Sequence, residues 1–298
     1  MSVNRRTFLK TSAAGIGGGM IATQPSKAAR PRKALDTDLA MLNDCTKCIG
    51  CRACQSQCKL THELERDGTD ARYDMPLDLS GRSLTLIKIH KQDDFFTFVK
   101  KQCLHCGDPS CVSVCPVAAF EKLDNGVVAY NKDACIGCRY CMIACPWDAP
   151  TFEFGKALPV IQKCDFCKDA RLAHGRPPAC ADACPAGAIK YGKRGDLIKE
   201  AHERIRNNPE KYNDHLYGEF ELGGTSVLVL APKEVRFEDL GYPLYGDTPP
   251  FRLQEDIQHG IFKYFIPPVA LYAVLGLIAY KTRRNKEDDS TKKDEKKG

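Results

Sequence analysis

The chain has 298 residues, enough for one large domain or two ordinary ones, and its outlying feature is 17 cysteines. Hydrophobic residues make up 43%; without the cysteines about 37% remains, low for a conventional core, so something besides apolar burial must hold part of the fold. The net charge of +6 includes Arg5, Arg6, Lys10 and Lys27, which lie with no acid in a segment expected to be removed; without those four it is +2, which excludes a nucleic-acid footprint.

The chain opens with Asn4-Arg5-Arg6-Thr7-Phe8-Leu9-Lys10. A weakly apolar, glycine-rich run follows from Ala13 to Ala22, and then Ser26-Lys27-Ala28, a small-x-small cleavage pattern. Arginine pair, spacing, apolar stretch and cleavage site together predict a twin-arginine signal over residues 1–28. That route exports proteins already folded, which suits a chain loaded with cofactors in the cytoplasm. Gly15–Gly19 follows no strand and is not read as a dinucleotide loop. Residues 29–44 read as a linker.

Sixteen cysteines fall into four groups. The first is Cys48, Cys51, Cys54 and Cys58. The second is Cys103, Cys106, Cys111 and Cys115. The third is Cys135, Cys138, Cys141 and Cys145, and the fourth is Cys164, Cys167, Cys180 and Cys184. The first and third have the three-then-one spacing of the bacterial ferredoxin run. Two-residue gaps let one tight loop turn three thiolates onto one face of a cubane cluster, with Gly50 and Gly137 supplying unusual backbone angles. Backbone N–H groups of such a loop can point at the cluster sulfides. The fourth cysteine starts a new element and points away, ligating the other cluster in two-cluster ferredoxins.

An internal repeat bears on the spare cysteine. Cys48-Ile-Gly-Cys-Arg-Ala-Cys54 matches Cys135-Ile-Gly-Cys-Arg-Tyr-Cys141 at six of seven positions. Spacing alone also allows the first group to begin at Cys45; aligning the repeats puts Cys48 first and leaves Cys45 as a non-ligand, packed or capping thiol. Disulfides are disfavoured because three thiols two residues apart cannot all pair locally, and the run occurs twice. Zinc wants paired two-cysteine knuckles, which only the fourth group resembles. No Cys-x-x-Cys-His exists for covalent haem. His105, inside the second group, reads as a structural or hydrogen-bonding neighbour. Four [4Fe–4S] clusters are the reading, and without iron most of residues 45–190 should be unfolded.

The remaining elements follow in order. Leu84–His90 and Phe95–Lys100 read as strands of a hairpin. Residues 103–145 look like a complete two-cluster ferredoxin unit, with Gly126–Tyr130 as a hairpin strand. Crossed ligation then gives Cys103, Cys106, Cys111 and Cys145 one cluster, and Cys135, Cys138, Cys141 and Cys115 the next. Cys48, Cys51, Cys54 and Cys184 hold a third, and Cys164, Cys167, Cys180 and Cys58 the fourth. Asp196–Asn207 reads as an amphipathic helix with Asp196 as N-cap, and Gly223–Leu230 as a buried strand. The fold class is therefore α+β: two interleaved bacterial-ferredoxin-like units in a domain over residues 45–232.

Residues 233–260 read as a second linker. Ile261–Tyr280 carries one charge, Lys263, and 20 helical residues span about 30 Å, so a single C-terminal transmembrane helix is expected, interrupted by Pro267 and Pro268. Lys281, Arg283, Arg284 and Lys286 begin a charged tail, 281–298, that the positive-inside rule places in the cytoplasm. The cluster domain is then on the periplasmic side of the inner membrane.

The motif Cys103-x-His105-Cys106-x-x-Pro109-x-Cys111-x-x-x-Cys115-Pro116, with four groups in this order, resembles the four-cluster ferredoxin-like electron-transfer subunits of respiratory complexes over about residues 40–230. The combination of own signal, four groups and tail helix is similar to the ferredoxin-like subunits of hydrogenase complexes. That resemblance implies a relay between a periplasm-facing [NiFe] hydrogenase, with its small and large subunits, and an integral membrane quinone-reactive subunit. The alternative is the beta subunit of a molybdenum-enzyme complex such as formate dehydrogenase. No phosphate loop, catalytic triad or flavin fingerprint points to a substrate site of its own, and no output domain points to a sensor.

Overall fold

A computed structural model describes residues 33–66, 78–154, 160–247, 272–278 and 280–281. The segment 1–28, most of 261–280 and all of the tail beyond Lys281 lie outside the described residues. In chain order the elements are β1 (Leu39–Asp44), α1 (Ala53–Thr61), β2 (Thr85–Gln92), β3 (Phe95–Gln102), α2 (Ser110–Ser113), β4 (Phe120–Lys122) and β5 (Val128–Tyr130). Then come α3 (Tyr140–Ala144), β6 (Thr151–Phe152), β7 (Ile161–Gln162), α4 (Ala179–Asp182), β8 (Ile189–Lys193), α5 (Arg194–Asn207) and β9 (Val227–Leu230). Short helices and small sheets are mixed, in keeping with the α+β expectation.

The linker expected over 29–44 is corrected. Its last six residues form β1, the middle strand of a sheet ordered β8-β1-β9. Leu39 lies opposite Lys193 in the antiparallel pair with β8, and Met41 opposite Val227 in the parallel pair with β9. Ala40, Met41 and Leu42 are fully buried. One face of the sheet packs Ala40, Leu42, Leu228 and Leu230 against Leu197 and Ala201 of α5. The other packs Met41, Val227 and Val229 toward Cys54 and Cys180. A strand covered on both faces reads as a continuous apolar run without alternation, and Leu-Ala-Met-Leu is short enough to pass for linker.

The hairpin of β2 and β3 closes through Asp93-Asp94, with Gln92 opposite Phe95 and Asp93 at a positive φ of 51°. Helix α5 begins two residues before the expected start, and Asp196 lies in its first turn rather than at its cap. The helix follows β8 directly, and the carbonyls of Asp38 and Asp36 accept from the backbone N–H groups of Arg194 and Gly195 at 2.8 and 2.9 Å. Backbone from another segment thus does what a side-chain cap would do. The expected strand from Gly223 is shorter: Gly223 and Gly224 have positive φ, and regular pairing starts at Val227.

The second linker is also corrected in its first part. Val235, Phe237, Leu240 and Tyr242 are buried in the main core, and Tyr242 donates its hydroxyl to the Lys100 carbonyl at 2.7 Å. Residues 233–247 therefore close the domain, their apolar positions being spaced by turns that no helix or strand period reveals. Among the described residues no helix is long and apolar enough to cross a membrane. Residues 272–278 and 280–281 are helical and exposed.

Candidate metal centres

The two repeat loops fold alike. Gly50 and Gly137 have φ of 69° and 72°, and Arg52 and Arg139, two residues on, have φ of 60° and 64°. Left-handed positions so placed curl each loop around its first three cysteines before a helix begins. Helix α1 then carries Cys54 and Cys58, and α3 carries Cys141 with Cys145 just past its end. Helix α2 carries Cys111 and α4 carries Cys180. Helix α1 packs on α4, and α2 on α3. Groups one and four are thereby brought together, as are groups two and three.

No disulfide joins any of the 17 cysteines, and Cys51 and Cys138 are exposed. Cys48, Cys51, Cys54 and Cys184 line one pocket, together with Cys45 and Lys100. Burial pushes the Cys54 thiol up to about 12, and Cys180, Cys48 and Cys184 add to it while Lys100 opposes. Cys180 is raised by burial, with Cys58 and Cys167 acting on it. Cys106 is raised by burial and by Cys103, Cys145 and Cys111. Cys141 is pushed up to about 12 by burial, then by Cys138, Cys135 and Cys115. Neighbouring sets also touch: Cys103 packs with Cys164 and Cys145, and Cys111 and Cys115 pack around Cys141. Along these contacts the thiols form a chain, from Cys135, Cys138, Cys141 and Cys115, through Cys103, Cys106, Cys111 and Cys145, to the interior thiols of group four, ending at the first loop. Cys45 is buried at the end of β1, its thiol raised by burial and by Asp44.

Among the described residues, several buried donors near these thiols lack a close acceptor. His105 is fully buried, and its Nδ1 accepts from the Val128 N–H at 3.0 Å. Its Nε2 then carries the proton and makes no close hydrogen bond among the described residues, although the Cys164 backbone acts on the ring. Burial, with Lys163 and Lys122 nearby, pushes the His105 pKa well below its ordinary value, so the ring is neutral. Gln102 Nε2 and Ser110 Oγ, beside Cys103 and Cys111, are likewise buried without partners. Orphaned donors amid concentrated thiols fit anionic, sulfide-rich groups, because each stranded donor otherwise costs about 1–3 kcal/mol. Raised thiol pKa values mean that these cysteines carry their protons before loading, so loading releases protons and its affinity depends on pH.

Sequence reasoning missed the polar groups that join these sets. Lys163 is buried and donates to the Val128 and Cys164 carbonyls at 2.6 and 2.9 Å. His62 donates to the Cys58 carbonyl at 2.9 Å and to Asp165 Oδ1 at 2.8 Å, and Asp165 also accepts from the Cys167 N–H at 2.8 Å. Burial pushes the His62 pKa down, but the bonds to Asp165, Cys167 and Cys58 overcome it and raise it above its ordinary value. This strut ties the end of α1 to group four, 103 residues away. Only proximity to a cysteine marked any of these residues in the sequence, and many residues share that.

Two 4Fe-4S dicluster domain families match the chain, over residues 47–119 and 95–194. The hydrogenase-2 operon protein HybA of Escherichia coli O157:H7 is 34% identical over 96% of this chain and 98% of its own length. The formate dehydrogenase iron-sulfur subunit of Haemophilus influenzae is 31% identical over 85% of this chain and 80% of its own. The formate dehydrogenase-O iron-sulfur subunit of Escherichia coli K12 is 35% identical over 64% of this chain and 66% of its own. With matches at both halves of the cysteine-bearing region and one along nearly the whole chain, this protein belongs to the family of [4Fe–4S] electron-transfer subunits that includes HybA and the formate dehydrogenase iron–sulfur subunits.

Proposed function

We propose that this chain carries four [4Fe–4S] clusters and relays electrons between a periplasmic-side [NiFe] hydrogenase and an integral membrane quinone-reactive subunit. The observation that carries the relay is the succession of neighbouring thiol sets: Cys111 packs with Cys141, Cys103 with Cys164, and Cys180 acts on Cys54, while Cys138 and Cys51 of the two end sets are exposed. The ligand sets are Cys48, Cys51, Cys54 and Cys184; Cys103, Cys106, Cys111 and Cys145; Cys135, Cys138, Cys141 and Cys115; and Cys164, Cys167, Cys180 and Cys58. Pairing of α1 with α4 and of α2 with α3 supports them. Such clusters supply one-electron carriers when bound; the chain supplies thiolates and buried donors, and on this reading the substrate chemistry belongs to a partner subunit. Cys45 stays outside the sets. The hydrogenase assignment, over the formate dehydrogenase alternative, rests on the near full-length match to HybA.

The reading includes export by the twin-arginine signal over 1–28 and anchoring by a helix over 261–280, supported by their residue patterns. One experiment tests the function. Membranes are solubilised anaerobically, this chain is recovered with its partners, and cluster EPR signals are recorded before and after hydrogen is added. Reduction by hydrogen is expected. Reduction by formate and not by hydrogen would move the chain to the formate dehydrogenase alternative.

A further inference from the structure

Among the described residues, Lys100 is a buried cation without a carboxylate partner. It lies on β3 with 4% of its surface exposed, and its ammonium donates to the neutral side chain of Gln102. An unpaired buried ammonium is heavily penalised, so some anion must face it. Its surroundings name the anion. Lys100 lines the pocket formed by Cys48, Cys51, Cys54 and Cys184. It also lies within electrostatic reach of Cys180, Cys164 and Cys58. It therefore stands between the first thiol set and the fourth, the junction at which Cys54 and Cys180 approach. We propose that Lys100 is a counter-charge shared by the clusters at these two sets, and that it raises the reduction potential of both. The inference rests on the ligand sets proposed above. Its physics is simple: accepting an electron makes a cluster more negative, and a fixed positive charge in a dry, low-dielectric surround favours that state.

The test uses the full chain in its native complex, with EPR-monitored potentiometric titration and iron and sulfide analysis. Lys100→Met keeps the apolar stem and removes the charge. Two of the four midpoint potentials should fall and two should stay. The expected fall is at least a tenfold change in the oxidised-to-reduced ratio at fixed poise, about 59 mV for a one-electron couple. Lys100→Arg should leave all four near wild type. Four loaded clusters with no potential lowered in Lys100→Met, or all four lowered alike, would overturn the proposal. So would a Lys100→Arg variant that behaves as Lys100→Met. If Lys100→Met and Lys100→Gln both lose iron, recovery in Lys100→Arg supports the counter-charge and its absence refutes it. A wild-type chain holding fewer than four clusters would overturn the proposed function instead, before any variant is compared.

Discussion

Asp44→Ala probes the joint between the sheet and the first cysteine loop. Asp44 ends β1, its side chain is fully buried, and it accepts four hydrogen bonds. Oδ1 accepts from the Thr46 N–H at 3.0 Å and the Thr46 hydroxyl at 2.6 Å. Oδ2 accepts from Arg204 at 2.7 Å and the Tyr212 hydroxyl at 3.0 Å. Removing one partner of a buried ion pair costs about 3–5 kcal/mol. Arg204 keeps Glu200 at 2.5 Å, so its charge is not stranded, and the lower end, about 3 kcal/mol, is expected. For a domain of this size each kcal/mol moves the melting midpoint by about 2–4 °C, giving a drop of roughly 6–12 °C. The assay is anaerobic heating of the loaded protein at one scan rate, since loss of clusters makes unfolding irreversible, with the visible cluster absorbance as readout. Asp44→Asn keeps an acceptor for Thr46 but turns its amide toward Arg204, and should fall between. A midpoint for Asp44→Ala within about 2 °C of wild type would refute the reasoning, because stranded buried donors cannot be that cheap.

Other outcomes follow from the same geometry. Gly50→Ala should damage its loop more than Gly137→Ala: both sit at positive φ, but a Cβ at Gly50 would lie 2.5 Å from the Phe98 ring, against 3.7 Å from Phe152 at Gly137. The strain of about 1–2 kcal/mol is shared, while overpacking adds about 1–3 kcal/mol at Gly50 alone; iron content and melting midpoint of the two variants check this. Cys45→Ala should keep a full iron complement and lose about 1 kcal/mol, whereas Cys184→Ala should lose one cluster's iron. His215 donates to Glu221 at 2.5 Å, and this bond raises the His215 pKa above its ordinary 6.5. Its stabilisation is present below pH 6.5 and is lost as pH rises through the raised value. The melting midpoint of wild type should therefore fall more steeply above pH 6.5 than that of His215→Gln, and parallel curves would remove the assignment. Chelating iron should abolish most helical circular dichroism from residues 45–190, because α2, α3 and α4 are only four or five residues long and cannot persist alone. Deleting residues 261–298 should leave cluster spectra intact while uncoupling quinone reduction, as every proposed ligand precedes residue 185.

Local chemistry was legible in the chain itself. Two-residue gaps, glycines at the second loop position and the six-of-seven repeat determine loops that present three thiols each, because those effects act within a few residues. The β2–β3 hairpin was legible for the same reason: its partners are separated by two residues. What the tertiary structure decided lies at long range. Leu39–Asp44 becomes a central strand only because residues 189–193 and 227–230 come to flank it. Asp196 loses the cap role because the carbonyls of Asp36 and Asp38 reach the helix start first. Val235, Phe237, Leu240 and Tyr242 join the core through turns, with no period to betray them. Lys100, Lys163 and the His62–Asp165 strut gain meaning only where distant groups meet, since a buried charge is defined by what surrounds it. A sequence states spacing along the chain, and energy depends on spacing in space; the two coincide within a loop and part company across the fold.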